Sequence, residues 1–184
     1  MMKPAIFIFT LLIPILSFGQ ADSNNSFFVS YYGETVTHPG LRMGLEVPVG
    51  KFGKKDNTIF ISPSFGYFRH RRYQTSFFVL PDFTFRLNGK KGFHVSGGAG
   101  IGFQSSFVPK TFFVDKEGTV HKITANHWYF LSNFFIRLDK SFTSSSGKVF
   151  GMFIKPQILI AYPNFPKRLG YFIYELGISH KISS

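Results

Sequence analysis

Apolar and polar residues alternate one by one along most of this chain. The alternation is clear in residues 41–49, 93–103, 127–139 and 169–182. A period of two residues places side chains on opposite faces of a β-strand, whereas helical spacing is not sustained anywhere beyond the N-terminal segment. The pattern therefore predicts an all-β protein in which each strand has one apolar and one polar face.

The alternation divides the chain into eight runs, at about 26–33, 39–50, 58–69, 72–87, 92–107, 127–140, 148–162 and 168–182. Several runs are much longer than the roughly five or six residues of a common soluble strand. They are long enough to cross a bilayer, which takes about 9–11 residues in a strand. Long strands with one aromatic-rich apolar face and one polar face are typical of outer-membrane barrels.

The connections between the runs alternate in character. Residues 51–57, 88–92 and 141–147 are turn-like, whereas the other set contains the long segment 108–126. With both chain ends in the periplasm, the first set forms periplasmic turns and the second set forms outer loops, as is usual in such barrels. The apolar residues at 112–114 and 120 predict that part of the long loop extends the strands.

The first residues have the pattern of a secretory signal. Lys3 precedes an apolar run from Ala5 to Phe18, and Ser17 and Gly19 are spaced like a cleavage site. The run is shorter than the ~20 residues that a spanning helix needs, and Pro14 interrupts it. We expect residues 1–19 to be a cleaved signal peptide and residues 20–184 to form one barrel domain.

The amino-acid composition excludes several classes of protein. The chain has 26 Phe, 8 Tyr and 1 Trp but only 16% charged residues, which argues against disorder. The absence of cysteine excludes a disulfide scaffold, a cysteine-ligated zinc site and a lipid anchor on cysteine. The net charge of +12 fits nucleic acid in principle, but the chain has no nucleic-acid-binding module, so we expect no such partner.

These features together resemble the small eight-stranded outer-membrane barrels, the class of OmpX and the OmpA transmembrane domain. The resemblance covers the whole mature chain and is one of pattern. It implies an eight-stranded antiparallel up-and-down transmembrane β-barrel in the bacterial outer membrane. It also implies lipid, lipopolysaccharide and, during biogenesis, the outer-membrane assembly machinery as partners. We expect a monomer. The last strand alternates up to Ile182 but lacks the final aromatic residue common in these families.

The interior of such a narrow barrel has room mainly for its own side chains, so inward charges should be paired. We expect a packed polar lumen formed by Arg42, Glu46, Asp82, Arg86, His94, Asn133, Arg137, Lys155 and Glu175. A hairpin centred near Phe165 places Lys155 opposite Glu175. Turns centred near Ser144 and Gly89 place Asn133 beside Lys155 and Arg86 beside His94.

Other positions are expected on the outside. Apolar residues such as Met43 and Ile101 should face lipid. Aromatic rings should mark the interfaces: Phe68, Tyr73, Trp128 and Tyr162 at the outer one, and Phe52, Phe85, Phe93 and Phe142 at the periplasmic one. Basic side chains at the outer rim should contact lipid phosphates, namely Arg69, Arg71, Arg72, Lys167 and Arg168.

Four prolines fall within strand runs, at 48, 63, 81 and 156, and predict bulges because proline cannot donate to the ladder.

No catalytic motif is present. His94 and Ser96 share a face, as in some barrel acyl hydrolases, but they lie at the periplasmic end. The glycines between Gly97 and Gly102 lie within a strand and create space for neighbouring side chains, because a dinucleotide motif needs a following helix. We predict no catalytic residues, no cofactor and no metal site.

The sequence thus predicts a non-enzymatic barrel with a structural, adhesive or lipopolysaccharide-contacting role. Two alternatives stay open: a soluble lipocalin-like barrel that holds an apolar ligand, and a barrel acyl hydrolase that acts on lipid.

Overall fold

A computed structural model describes residues 25–33, 39–53, 56–70, 74–115, 117–162 and 169–182. These residues form antiparallel strands joined by turns. The ten strand segments are β1 (Ser26–Gly33), β2 (Gly40–Phe52), β3 (Asn57–Ser62), β4 (Ser64–His70), β5 (Gln74–Val79), β6 (Asp82–Asn88), β7 (Phe93–Val114), β8 (Val120–Thr143), β9 (Val149–Tyr162) and β10 (Leu169–Lys181). Within the described ranges, no helix is long and apolar enough to cross a membrane.

The sheet closes on itself into a barrel. β1 pairs with both β10 and β2, and sequential pairing continues through β9, β8 and β7. β3 and β4 lie end to end beside β2, and β5 and β6 lie end to end between that pair and β7. The ten segments therefore occupy eight positions around the ring, which confirms the predicted eight-stranded up-and-down barrel.

The prolines explain most of the irregularities in the wall. The register of β2 against β3 shifts between Pro48 and Gly50. Pro63 separates β3 from β4, and Pro81 stands between β5 and β6. Hydrogen bonds from Leu45 N to Pro63 O (3.1 Å) and from Leu80 N to Ser64 O (3.0 Å) hold the wall together at these breaks. Proline thus interrupts the wall at positions 48, 63 and 81 without opening the barrel. The bulge predicted at Pro156 is wrong, because β9 pairs with β10 through this residue without a register shift.

β7 and β8 continue well beyond the rest of the barrel. The last pair between β5 and β7 is Thr75 with Phe107, whereas β7 and β8 remain paired as far as Val114 with Val120. A tight turn with Gly118 at a φ of 82° closes this hairpin. The strand extension predicted in the long loop is therefore confirmed.

The two ends of the barrel differ. We call the end that carries Ser26, Lys181 and the connections at 53–56, 89–92 and 144–148 the turn end. The opposite end, which carries the β7–β8 extension, is called the loop end.

Strand register confirms one predicted pair and corrects two. Glu175 lies opposite Lys155, as the hairpin arithmetic predicts. Asn133 lies opposite Leu159, not beside Lys155, because Thr143 pairs with Val149 and centres that turn two residues later than Ser144.

The other correction concerns Arg86. It lies opposite Ser96 rather than His94, because the 3-10 turn at 90–92 shifts the centre of the hairpin and His94 pairs with Asn88.

The outer face of the barrel is apolar. Met43 is 39% exposed and Ile101 61% exposed, and most of the residues predicted to face outward are similarly exposed, with Leu45, Val47 and Ile160 half-buried. Trp128, Tyr162, Phe85, Phe93 and Phe142 are also exposed, whereas Phe52 is half-buried.

The structure does not place Phe68 or Tyr73 at the outer interface. Phe68 was expected at the outer interface but is buried (8% exposed), because even-numbered positions of β4 point inward. Tyr73 lies outside the described residues.

The interior contains an apolar layer, which corrects the expectation of a packed polar lumen. Towards the loop end it is filled by an apolar cluster: Tyr32, Phe68, Phe78, Leu80, Leu131, Leu159, Ala161 and Ile173. Charged residues occupy the middle and the turn end, while three buried polar residues, Ser76, Gln104 and Ser106, hydrogen-bond to one another beside the apolar cluster. Phe28, Phe135 and Phe153 point inward among the charged groups.

Glycines make room for the inward rings. A Cβ on Gly66 would overlap the ring of Phe78, and one on Gly98 would lie 2.6 Å from Cζ of Phe135. Gly98 and Gly100 of β7 therefore supply space for neighbouring side chains, as predicted, whereas a Cβ on Gly97 would meet only a backbone oxygen at 3.8 Å. By contrast, a Cβ on Gly170 would meet nothing within 4 Å.

We predict that Gly66→Ala destabilises the barrel, because the buried Phe78 ring must shift within a packed cluster. The expected loss is about 1–3 kcal/mol, as for other overpacked cores. Urea unfolding in detergent micelles measures it. Gly170→Ala is the matched control and should change the unfolding free energy little. Equal stability of both variants would contradict the packing described here.

Candidate functional site

The buried charges of the interior form two groups, and the first lies directly below the apolar cluster. We call Arg42, Asp82, Lys155 and Glu175 the inner ionic cluster. Arg42 is fully buried. Its guanidinium donates from Nη2 to Oδ2 of Asp82 (2.7 Å) and from Nη1 to Oε2 of Glu175 (3.0 Å). Strands β2, β6, β9 and β10 each contribute one charge, so the cluster links distant parts of the wall.

Lys155 completes the charge balance of the inner ionic cluster. Its Nζ lies 2.5 Å from Oδ2 of Asp82 and 3.3 Å from Oε2 of Glu175. Ser30 donates to Oε1 of Glu175 at 2.6 Å, and Asn133 donates to Oδ1 of Asp82 at 3.2 Å. Two cations and two anions thus satisfy one another in a site that excludes water. Such mutual satisfaction is needed because an unpaired buried charge is costly.

The break between β5 and β6 supplies the cluster with a backbone acceptor. Pro81 cannot donate to the ladder, and the carbonyl of the preceding Leu80 is hydrogen-bonded to two buried side chains. Arg42 donates to it from Nη2 at 3.0 Å, and Ser64 donates to it from Oγ at 2.5 Å. Nε of Arg42 donates to Oγ of Ser64 at 2.9 Å, so all three nitrogens of the guanidinium donate to buried acceptors.

The second group lies closer to the turn end. We call Glu46, Arg86, Arg137 and Asp139 the lower ionic cluster. Arg137 pairs through Nη1 with Glu46 and through Nη2 with Oδ1 of Asp139 (2.6 Å). Arg86 pairs through Nη2 with Oε2 of Glu46 at 3.2 Å. This cluster also contains two charges of each sign.

Aromatic rings separate and cover the charged groups. The guanidinium of Arg137 lies 3.8 Å from the centroid of Phe153, and Nζ of Lys155 lies 4.1 Å from that of Phe135. The guanidinium of Arg86 lies 4.3 Å from the centroid of Phe60. A cation over a ring face is attracted by the ring quadrupole, and more strongly where water is excluded. The inward phenylalanines therefore contribute to holding the cations as well as filling space.

The structure brings eight of the nine predicted interior residues into these contacts. The ninth, His94, is half-buried, and its Nδ1 has no hydrogen-bond partner among the described residues.

The sequence analysis did not include Asp139 in the interior network. Asp139 follows Arg137 by two residues on β8, so the alternation places both side chains on the same inward face. Ser30, Ser64 and Gln157 were also missed. Gln157 accepts from Asn133 (2.8 Å) and donates to Oε2 of Glu175 (3.3 Å). The partners of these three residues depend on register across several strands, which the alternation alone does not give.

The basic rim is only partly described. Arg69 is exposed at the loop end of β4. Arg71, Arg72, Lys167 and Arg168 lie outside the described residues, in the connections that join β4 to β5 and β9 to β10 at that end.

His94 and Ser96, the pair weighed for an acyl hydrolase, do not form an activated nucleophile in the structure. Oγ of Ser96 is buried and lies 3.5 Å from Oδ2 of Asp139, and no contact with His94 is described. Within the described residues, no group of three or more histidine or acidic side chains has the arrangement of a metal site.

A cavity of about 690 Å³ opens at the turn end, below the lower ionic cluster. Polar and charged residues from β1, β2, β6 and β10 lie along it, including Ser26, Lys51, Arg86 and Lys181.

Comparison with known proteins identifies similar structures but no sequence family. No family model matches the chain, and no curated protein matches it. The chain is similar to the N-terminal β-barrel domain of Pseudomonas aeruginosa OprF, with 13% identity, a TM-score of 0.47, and 85% of this chain and 97% of that chain covered. It is also similar to the Yersinia pestis outer membrane protein Ail, with 12% identity, a TM-score of 0.44, and coverage of 86% and 99%. The β domain of the Bordetella autotransporter BrkA matches with 10% identity, a TM-score of 0.39, and coverage of 83% and 66%.

We predict that Glu175→Ala destabilises the barrel by about 3–5 kcal/mol, because it leaves Arg42 and Lys155 to share one carboxylate. The double variant Glu175→Ala, Lys155→Met should recover most of that loss, since Arg42 and Asp82 then form a neutral pair. Urea unfolding in micelles measures both. Glu117→Ala, which removes an exposed carboxylate from the turn between β7 and β8, is the control and should have little effect. Additive losses in the double variant would show that the two residues do not act as partners.

Proposed function

We propose that this protein is an integral barrel of the bacterial outer membrane with a closed interior and no catalytic role. The belt of exposed apolar side chains around the wall carries the proposal. Phe103, Phe134 and Ile178 are each about 60% exposed and lie on three different strands. Water-exposed apolar patches of this extent are rare on soluble monomers, whereas lipid tails would cover them.

The direction of the two faces argues against a soluble ligand-holding barrel. A lipocalin-like barrel turns its apolar face inward around a ligand cavity and its polar face to water. In this barrel, the charged residues point inward and the outer face of the wall is apolar. The apolar part of the interior is packed with side chains such as Leu80 and Leu131, both fully buried. The acyl hydrolase alternative lacks a contact between His94 and Ser96 that would activate a nucleophile.

The layered interior supports a closed barrel rather than a pore. The apolar cluster fills the loop end, and the inner ionic cluster lies across the middle with its charges fully buried. A water-filled channel would need a continuous polar path between the two ends. The interior therefore has a structural role, which fits a barrel that acts through its outer surface.

We further propose that the loop end contacts the phosphates of lipopolysaccharide. Arg69 is exposed there, and the sequence places Arg71, Arg72, Lys167 and Arg168 in connections at the same end. Guanidinium and ammonium groups bind phosphate oxygens through charge-assisted hydrogen bonds. The closed interior and the basic rim together favour a structural or lipid-contacting role, or an adhesive one through the β7–β8 extension.

We predict that Met43→Arg and Ile101→Arg hinder folding into lipid vesicles, because each introduces a charge into the apolar belt. The expected cost is about 2–4 kcal/mol near the bilayer midplane. Val114→Arg, in the hairpin beyond the barrel, is the matched control and should fold normally. Normal refolding of both belt variants would contradict the membrane assignment.

The rim proposal has its own test. Replacing Arg69, Arg71 and Arg72 together with glutamine should weaken binding of the refolded protein to lipopolysaccharide, measured against phosphatidylcholine vesicles without it. Replacing Lys90, Lys91 and Lys148 with glutamine at the turn end removes the same charge and should leave that binding unchanged. An equal loss in both triple variants would indicate attraction by net charge alone and would rule out a specific basic rim.

A further inference from the structure

The cavity at the turn end has a lining unlike the rest of the interior. Its volume of about 690 Å³ lies within the ~300–1,000 Å³ typical of small-molecule sites. Hydroxyl groups of Ser26, Ser141 and Ser179 lie along it, and the ring of Phe60 forms part of one wall. Hydroxyls and one aromatic ring in a water-accessible cavity suit a small polar molecule with many hydrogen-bonding groups.

The acidic residues above the cavity are already neutralised. Glu46 and Asp139 both line it, but Arg137, which does not, pairs with both from within the barrel. Arg86 pairs with Glu46 as well. The lower ionic cluster therefore presents no net charge to the cavity.

The remaining charges favour an anion. Lys51 and Lys181 line the cavity, and neither has an ion-pair partner among the described residues. Asp56 is the other acidic residue in the described lining, so one positive charge is in excess. Ammonium groups without a carboxylate partner favour binding of an anionic group, because charge-assisted hydrogen bonds to a carboxylate or phosphate are strong.

We propose that this cavity binds a small polyhydroxylated anion that bears a carboxylate or a phosphate, such as a uronic acid or a sugar phosphate. Lys51 and Lys181 would pair with the anionic group, and the serine hydroxyls would bind the sugar. The ligand reaches the cavity from the turn end, since the apolar cluster fills the interior at the loop end. This site does not depend on the proposed membrane role, because Lys51, Lys181 and the serines lie at the turn end of the barrel and not in the apolar belt.

Titration calorimetry on the folded protein in detergent micelles tests the proposal. The probes are glucuronate and glucose 6-phosphate, with glucose as the neutral and glucosamine as the cationic comparison. We expect at least one anion to bind measurably and both comparison sugars to bind far more weakly. The double variant Lys51→Gln, Lys181→Gln should weaken anion binding about tenfold or more, the equivalent of about 1.4 kcal/mol. The two anions distinguish carboxylate from phosphate recognition.

The matched control is the double variant Lys90→Gln, Lys148→Gln, which removes the same charge at the same end but outside the cavity. It should bind the anion like the wild type. The lysines replaced in the two double variants all lie at the turn end of the barrel. If a double variant fails to fold, the corresponding single lysine-to-glutamine variants are measured instead. The proposal is overturned if the wild type binds neither anion, if glucose binds equally well, or if both double variants lose affinity equally.

Discussion

The pairing of buried charges is the constraint on which this barrel depends. Its wall turns one face outward and leaves a middle too narrow to hydrate an isolated ion, so each charge buried there needs a partner of opposite sign. The inner ionic cluster balances Arg42 and Lys155 against Asp82 and Glu175, and the lower ionic cluster balances Arg86 and Arg137 against Glu46 and Asp139. The two clusters contain four of the chain's nine acidic residues and four of its 21 basic residues. The whole positive excess of the chain therefore lies outside the two clusters, where it can meet lipid or solute.

Backbone irregularities serve the same requirement. The break at Pro81 provides the carbonyl of Leu80 as an acceptor for Arg42. Gly66 and Gly98 let the rings of Phe78 and Phe135 cross the interior, and the ring of Phe135 lies over the ammonium of Lys155. Buried ion pairs contribute little net stability compared with a well-packed apolar core, but breaking one is costly. We infer that their main effect here is to specify register, because a shift by one residue would turn every charged side chain towards the outer face.

Period-two alternation was sufficient to predict the eight strand positions, the outward set and the inward charges, since these depend only on local phase. Predicting the register between neighbouring strands also required the centre of each turn. The pair of Lys155 with Glu175 followed from a nearly symmetrical hairpin, whereas a displaced turn centre moved Asn133 away from its predicted partner. Phe68 was misplaced because its aromatic character was given more weight than its inward phase. The role of the Leu80 carbonyl could not be predicted, because it arises from a break in the ladder and from contacts across three strands.

Conductance across a planar lipid bilayer tests the central claim most directly. A barrel whose middle is closed by balanced ionic clusters and whose loop end is packed with apolar side chains should insert without steady ion current. Glu175→Ala, which unbalances the inner ionic cluster, should increase the frequency of transient openings. Steady conductance by the wild-type protein would contradict the account. Such a current requires a continuous hydrated path through the interior, whereas the buried ion pairs and the apolar cluster close that path.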